Sequence, residues 1–585
     1  MKIKKSLLLL LLIVVLAAVL RFLAASHLDV NPDEMIYTSI PLNIISAGRL
    51  STVEQAPLFF YLTDLGYQTF GFNVVTARLP AIIFSLLSVM MVFLITQLLF
   101  ADIKKSLVSS LLLAVSGYAI IYNLEMDIMA FFFILLSLYF YVLFVIKDKE
   151  TASLFSYGYY LYLSALALAL GILSKPFVAL IIPVYVAFYL LYVCRKTEKK
   201  LFFQRENTWV LHKKMIWALL ISIGIMVIVV SPVLIYNYLL YQNQGITDFY
   251  FTTSLGIGKN IYAGLGGQKP WAFQTLHNVT TDILSAFARY DLVLFVLGLL
   301  GLGHLMLRKN PWAYLCASFM IFYTIYIGGK TGSSTHYVIL VMMLALFSGH
   351  AFFLILEKVH LIERKKIWFS IILAVAIINV IITGSEIKST SSIVLLQQFS
   401  AEVPANAIVI TDPLIYRGIY SWSFGNHHYL EGTYFSRMME QLQNIPGEKI
   451  TVPLYYIECG RNSFCGWKQE DYLRIFNFSE SLGNYFKNEL ELQATIQGSD
   501  VLTFTVYKGS MAITPALYEA IDRTHQFYFY PVGWKYTENV VDNYSLDTTF
   551  ESLLQKTGFM ILFINIGLVL ISIGSVFYFL WKHHE

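Results

Sequence analysis

Charge is scarce in this chain. Only 13% of its residues are Asp, Glu, Lys or Arg, where a soluble domain would carry roughly 25%. Cysteine is scarcer still, with four in 585 residues. None of the four has metal-type spacing, so a zinc module is excluded. No Walker A sequence, Rossmann glycine pattern or internal repeat can be found, which argues against an ATP-driven pump. The net charge of +4 gives little reason to expect nucleic acid.

What fills the space is apolar. Hydrophobic residues make up 57% of the chain, and mean hydropathy is +0.64. The chain also holds 44 Phe and 39 Tyr, residues that anchor bilayer interfaces. Apolar runs fall at roughly 6–25, 79–100, 106–122, 127–146, 156–174, 176–194, 215–236, 290–307, 312–328, 337–356, 367–384 and 557–581, about twelve by the 20-residue criterion. With Met1 inside, Lys2, Lys4 and Lys5, Lys104 and Lys105, Lys147 and Lys149, Arg195 to Lys214, Arg308-Lys309, Arg364 to Lys366 and Lys582 all fall on the inner side. That is the bias expected of cytoplasmic loops. The chain reads as a polytopic α-helical membrane protein of the cell membrane, its first run a retained span rather than a cleaved leader.

Three segments then lie outside: roughly 26–78, 237–289 and 385–556. The third is long enough to bury a core. Asn406 to Asp412 and Val501 to Tyr507 read as strands, Gln469 to Phe476 and Pro515 to Asp522 as helices. The divisions are therefore 1–384 (transmembrane module), 385–556 (mixed α/β outer domain) and 557–585 (last span and tail). The outer domain reads as an accessory. Cys459 and Cys465 stand six apart in it, where a disulfide is chemically permitted. Asn278, Asn477 and Asn543 open acceptor sequons on the same side.

Chemistry concentrates at the outer ends of the spans. Asn31-Pro32-Asp33-Glu34 follows the first run. Pro32 favours a helix start, and neighbouring helix positions diverge by about 100°. One carboxylate can face a cavity, where desolvation makes it a better base; the other role open to such a pair is a solvated cap. Glu54-Gln55-Ala56-Pro57 precedes an aromatic run that ends in Asp64, which taken alone reads first as an interfacial helix anchored by its aromatics. Glu125 and Asp127 bracket the start of the fourth run; Asp127 is either a cap or a cavity residue. Lys175, in Gly171 to Pro176, lies on the outer side against the positive-inside trend. Lys330 and His336 repeat the theme, and Arg78 and Arg289 sit at other outer ends. Singly each is a snorkelling anchor; together they fit an anionic ligand at the outer leaflet.

The order of these motifs resembles the GT-C class of membrane glycosyltransferases, in particular the protein O-mannosyltransferase group and the lipid A aminoarabinose transferases, over roughly residues 1–350. The resemblance implies a polyprenyl-phosphate sugar donor and a hydroxyl-bearing acceptor (lipid, protein or glycan) among the membrane lipids. It implies Asp33 as base in an inverting displacement, with Glu34 and Asp127 as companion carboxylates. The leaving phosphate would be met by Lys175, with Lys330, His336, Arg289 and Gln55 near it. The aminoarabinose transferases have Glu-Lys-Pro-Pro where this chain has Glu54-Gln55-Ala56-Pro57, so Gln55 replaces a charged donor contact with a neutral one. Glu54 keeps a position linked to a divalent metal, which leaves metal binding open. The competing reading is a lipid-linked sugar transporter or flippase. Such proteins commonly carry internal repeats and line a path through the midplane with charge.

Overall fold

The computed structural model describes residues 5–582 apart from 29, 31, 40, 43, 47, 49, 52–55, 123, 148–153, 194–205, 250, 253–256, 259–271, 330–333, 362, 388–389, 416, 433–434, 437–447, 461–464, 466–471, 500–501, 517, 519–545 and 547. It is a helix bundle joined to a small mixed sheet. The bundle opens with α1 (Lys5–His27), α2 (Pro32–Ser39), α3 (Leu58–Phe70), α4 (Val74–Phe100), α5 (Ile103–Ala114), α6 (Gly117–Ile121), α7 (Asp127–Lys147), α8 (Leu154–Ile172) and α9 (Ile181–Phe188).

Local chemistry sets the turns. Asn73 caps α4 by accepting from the Thr76 amide at 2.9 Å. Ala101 ends it in the left-handed region, φ 49°, and Asp102 immediately caps α5. Two antiparallel helices are thus joined by two residues. Asn310 caps the Pro311–Gly328 helix in the same way, with Pro at the first helical position. α7 is apolar on every side and 94% buried; it is the central post of the bundle. The Lys214–Asn243 span is only 28% buried, and the exposed Leu, Ile and Val along it meet lipid.

Among the described residues, eight helices are long and apolar enough to span, or nine if one bent pair is a single span. The sequence runs gave about twelve. The difference lies at breaks that hydropathy cannot see. Ser116 starts a new helix inside the 106–122 run. Pro176 restarts the chain as a 3-10 turn after α8. Asp291 separates the Phe273–Tyr290 and Leu292–Leu307 helices, which bend by 112°.

The sheet contains β1 (Ile408–Thr411), β2 (His428–Glu431), β3 (Ile450–Cys459), β4 (Glu491–Gln497) and β5 (Thr503–Ile513) in the order β2-β1-β3-β5-β4. β1 is parallel to β2 and β3, and β5 is antiparallel to β3 and β4. Ile408 lies beside both His428 and Leu454. Burial of all four β1 residues fits a central parallel strand. The two strands read from sequence are β1 and β5, and the helix read near Gln469 runs instead over Tyr472–Glu489. Pro515 to Asp522 lies largely outside the described residues, as does Cys194. Cys459 and Cys465 form a disulfide. The sheet's core is continuous with the bundle: Ile408, Trp422 and Tyr429 belong to one buried cluster with Val30, Met35, Tyr67, Val74 and Ala77.

Candidate active site

The site is organised around α2, whose eight residues offer rows of side chains about 100° apart. Glu34 and Thr38 occupy the first. The Glu34 carboxylate receives a forked pair of bonds from Arg78 of α4, through Nε to Oε1 and, at 2.9 Å, through Nη2 to Oε2. Arg78 also donates to the Ala25 and Leu28 carbonyls at 2.8 and 3.0 Å. It is fully buried and Glu34 is 2% exposed, so the fork supplies the compensation that two buried charges require. Thr38 donates to the Glu34 carbonyl, and its own carbonyl accepts from the Tyr67 hydroxyl. This face of α2 is bolted to α3 and α4. From above, the Arg417–Phe424 helix of the sheet domain packs on α2, and Trp422 meets Phe72 edge-on at 6.2 Å.

Positions 33 and 37 form the other face. The Lys175 ammonium lies over the Tyr37 ring, 4.6 Å from its centroid, and 3.3 Å from Asp127 Oδ1. The lysine–carboxylate contact is an ion contact, not an aligned hydrogen bond. Asp127 Oδ2 meets His336 Nδ1 and accepts from Thr335 Oγ1 at 3.4 Å. Asp127 is the first residue of α7, where the helix dipole favours a negative charge. Asp127 and Lys175 are both buried. One carboxylate therefore gathers two of the cationic residues singled out by sequence.

Each partner is placed by local chemistry. Pro176 holds Lys175 extended, φ −149° and ψ 138°. The Lys175 and Ser174 amides both donate to the Gly171 carbonyl at 2.9 Å. A side chain at Gly171 would meet Val178 at 2.9 Å and Phe133 of α7 at 3.1 Å, so the Gly-x-x-x-Lys-Pro motif lets the end of α8 close on the central post. The Leu58 amide donates to the Leu173 carbonyl at 3.2 Å, tying α3 to the same turn. The turn that carries His336 is held by two phenols: Tyr118 donates to the Ser334 carbonyl and Tyr323 to the His336 carbonyl, both at 2.7 Å.

Two of the residues singled out by sequence are found in ion pairs. Glu34, expected as a second catalytic carboxylate, pairs with Arg78. Arg289, expected at the donor phosphate, is exposed and pairs with Glu386, because it ends a helix that packs beside the Lys365–Ile387 helix. Glu54, Gln55 and Lys330 lie outside the described residues, as does the Asp33 side chain. Among the described residues no group of three or more His, Cys, Asp or Glu is placed to hold a metal. Tyr37 escaped sequence reading, although its spacing from Asp33 was the available signal. Asp64 escaped too: it accepts from the Ile45 amide at 2.9 Å and the Gln68 side chain at 3.2 Å, stitching the first loop to α3.

The comparisons agree with this architecture. Residues 54–236 match the family model of dolichyl-phosphate-mannose-protein mannosyltransferase. No curated protein sequence matches. Among solved structures, ArnT from Cupriavidus metallidurans in the apo state has a TM-score of 0.57 at 13% identity, covering 85% of this chain and 97% of its own. The same protein bound to undecaprenyl phosphate gives the same values. The Archaeoglobus fulgidus oligosaccharyltransferase in the apo form reaches 0.48 at 14% identity, over 78% of this chain and 69% of its own. Residues 54–236 match that family model, and over most of its length the chain has the fold of ArnT, that of a multi-pass membrane protein with a GT-C architecture.

Proposed function

We propose that this protein transfers a sugar from a polyprenyl-phosphate donor to a hydroxyl-bearing acceptor, on the outer face of the membrane. The observation that carries the reading is the buried cluster in which Asp127 holds Lys175 and His336 beside the helix that bears Asp33. ArnT, whose fold is similar, has been crystallised with undecaprenyl phosphate, and a lipid phosphate is the ligand such a cationic pair suits.

In this mechanism Asp33 takes the proton of the acceptor hydroxyl as its oxygen bonds to the anomeric carbon. The bond from that carbon to the phosphate oxygen breaks on the opposite side, so configuration inverts. The electron pair leaves with the lipid phosphate. Lys175, and His336 when protonated, neutralise the charge that grows there, a form of stabilisation strongest in a water-poor site. Asp127 keeps both side chains in place between turnovers. Lys330 and Gln55 are further donors to the phosphate, and Glu34 acts through Arg78 to fix the helix that carries the base. The acceptor is a lipid, a protein side chain or a glycan, and the sheet domain stands on the same outer side.

The test uses purified protein in detergent with radiolabelled polyprenyl-phosphate sugars. Wild type should transfer the sugar or hydrolyse the donor slowly; Asp33→Asn should bind donor but lose both reactions. If no donor loses its sugar with a plausible acceptor present, while labelled lipid crosses a reconstituted bilayer, the transporter reading replaces this one.

A further inference from the structure

The Lys175 ammonium has three N–H bonds, and among the described residues two groups approach it closely. Asp127 stands at 3.3 Å on one side. The face of Tyr37 stands at 4.6 Å on another. Lys175 is 5% exposed, so water does little to steady its head, and a desolvated ammonium gains most from a ring face. Tyr37 comes from α2, which the Glu34–Arg78 fork fixes one turn earlier, while Lys175 comes from the turn after α8. The ring therefore bridges the acceptor side and the donor side of the site.

We propose that Tyr37 is a positioning residue: its ring holds the Lys175 ammonium against α2, so that the third N–H is aimed at a lipid phosphate while the base one turn away shares the same helix. This rests on the reading of Lys175 as the phosphate lysine. It gives α2 two tasks, carrying the base and aligning the cation that meets the leaving group. The spacing of four between Asp33 and Tyr37 is then a functional constraint, since a one-residue slip would turn one of them away by about 100°.

The ring face, rather than the hydroxyl, does the holding. Tyr37→Phe should therefore keep affinity for undecaprenyl phosphate within about twofold. Tyr37→Leu and Tyr37→Met, which keep apolar bulk without a ring, should weaken it about tenfold, the order expected from losing one desolvated cation–π contact. In transfer assays the loss should appear in kcat as well as in the donor KM, because the misplaced cation also meets the charge that grows on the leaving phosphate, with the acceptor KM little changed. The decisive measurement is a double-mutant cycle on undecaprenyl phosphate binding with the intact protein in detergent. Because Tyr37 acts through Lys175, Tyr37→Leu should cost nothing further once Lys175→Met is present. An equal cost in both backgrounds, or equal losses in the Phe and Leu variants, would overturn the proposal. A wild type that binds undecaprenyl phosphate but transfers no sugar removes the proposed reaction and leaves the cycle to decide Tyr37. A wild type that does not bind it overturns both.

Discussion

Glu34→Gln is the sharpest test of how α2 is held. The variant keeps the size of the side chain and removes the charge that faces Arg78, which has no exposed surface. Breaking a buried pair by neutralising one member costs about 3–5 kcal/mol, because the other charge is stranded. Arg78 keeps two carbonyl acceptors, Ala25 at 2.8 Å and Leu28 at 3.0 Å, so the lower end, about 3 kcal/mol, applies. That cost falls on the opening equilibrium of α2 and should speed amide exchange in residues 32–39 about a hundredfold. Hydrogen–deuterium exchange on the intact protein in detergent reads it directly, by comparing peptides from this segment with peptides from α7. The double variant Glu34→Gln with Arg78→Met should lose less than the two single losses added together, since no charge is left stranded. Exchange in Glu34→Gln within about threefold of wild type, or strict additivity in the double variant, would refute the reasoning.

Three further outcomes follow from other parts of the molecule. Asp248 is buried beyond the end of the Lys214–Asn243 span; burial pushes its carboxyl up to about 7, against the bonds it accepts from Phe251 and Asn237. An acid whose folded pKa is raised above its unfolded value binds its proton more tightly when folded, so its contribution falls as pH rises from about 4 to about 7. The Phe251 and Thr252 amides should exchange faster, after intrinsic correction, at pH 8 than at pH 5, and Asp248→Asn should flatten the difference. Gly301→Ala should lower thermal stability and yield sharply, because the added carbon would lie 2.2 Å from the Phe347 carbonyl oxygen at a helix contact that depends on close backbones; Gly303→Ala, which meets nothing within 4 Å, is its control. Cys459→Ser with Cys465→Ser should cost the end of β3 about 2 kcal/mol by the loop-closure relation, seen as faster exchange of the Gly460 amide that donates to Thr503 at 2.7 Å.

Much of this molecule is legible from periodicity and charge. Fully apolar runs such as α7, and the one-sided distribution of Lys and Arg, report the solvent each segment meets, and that is a local property. β1 is readable because Ile-Val-Ile offers a strand little else to do, and Asp127, Lys175 and His336 could be singled out because charge at a membrane edge is costly. What sequence conceals is how charges pair. Glu34 and Arg78 are 44 positions apart, and nothing local tells Glu34 that its neighbour is a guanidinium rather than a substrate. Arg289 looks identical in sequence to a phosphate ligand, yet Glu386, 97 positions away, claims it. The helix breaks at Ser116 and Asp291 are invisible to hydropathy because they are polar stitches: Asp291 accepts from the Ser116 hydroxyl and the Gly117 and Tyr118 amides at 2.8–3.1 Å.

The core shared between the sheet and the first loop bears on biosynthesis. Val30 and Met35 are buried against residues such as Trp422 and Tyr429, and the Gly48 carbonyl accepts from Gln555, 507 positions later. At about 5–20 residues per second, a ribosome needs roughly 25–100 s to supply that last partner. Through that interval the loop has left the first span while its partners in the sheet and the last helix are still to come. The protein thus ties the last contacts of its first loop to the emergence of its last helix, hundreds of residues after the loop itself is made.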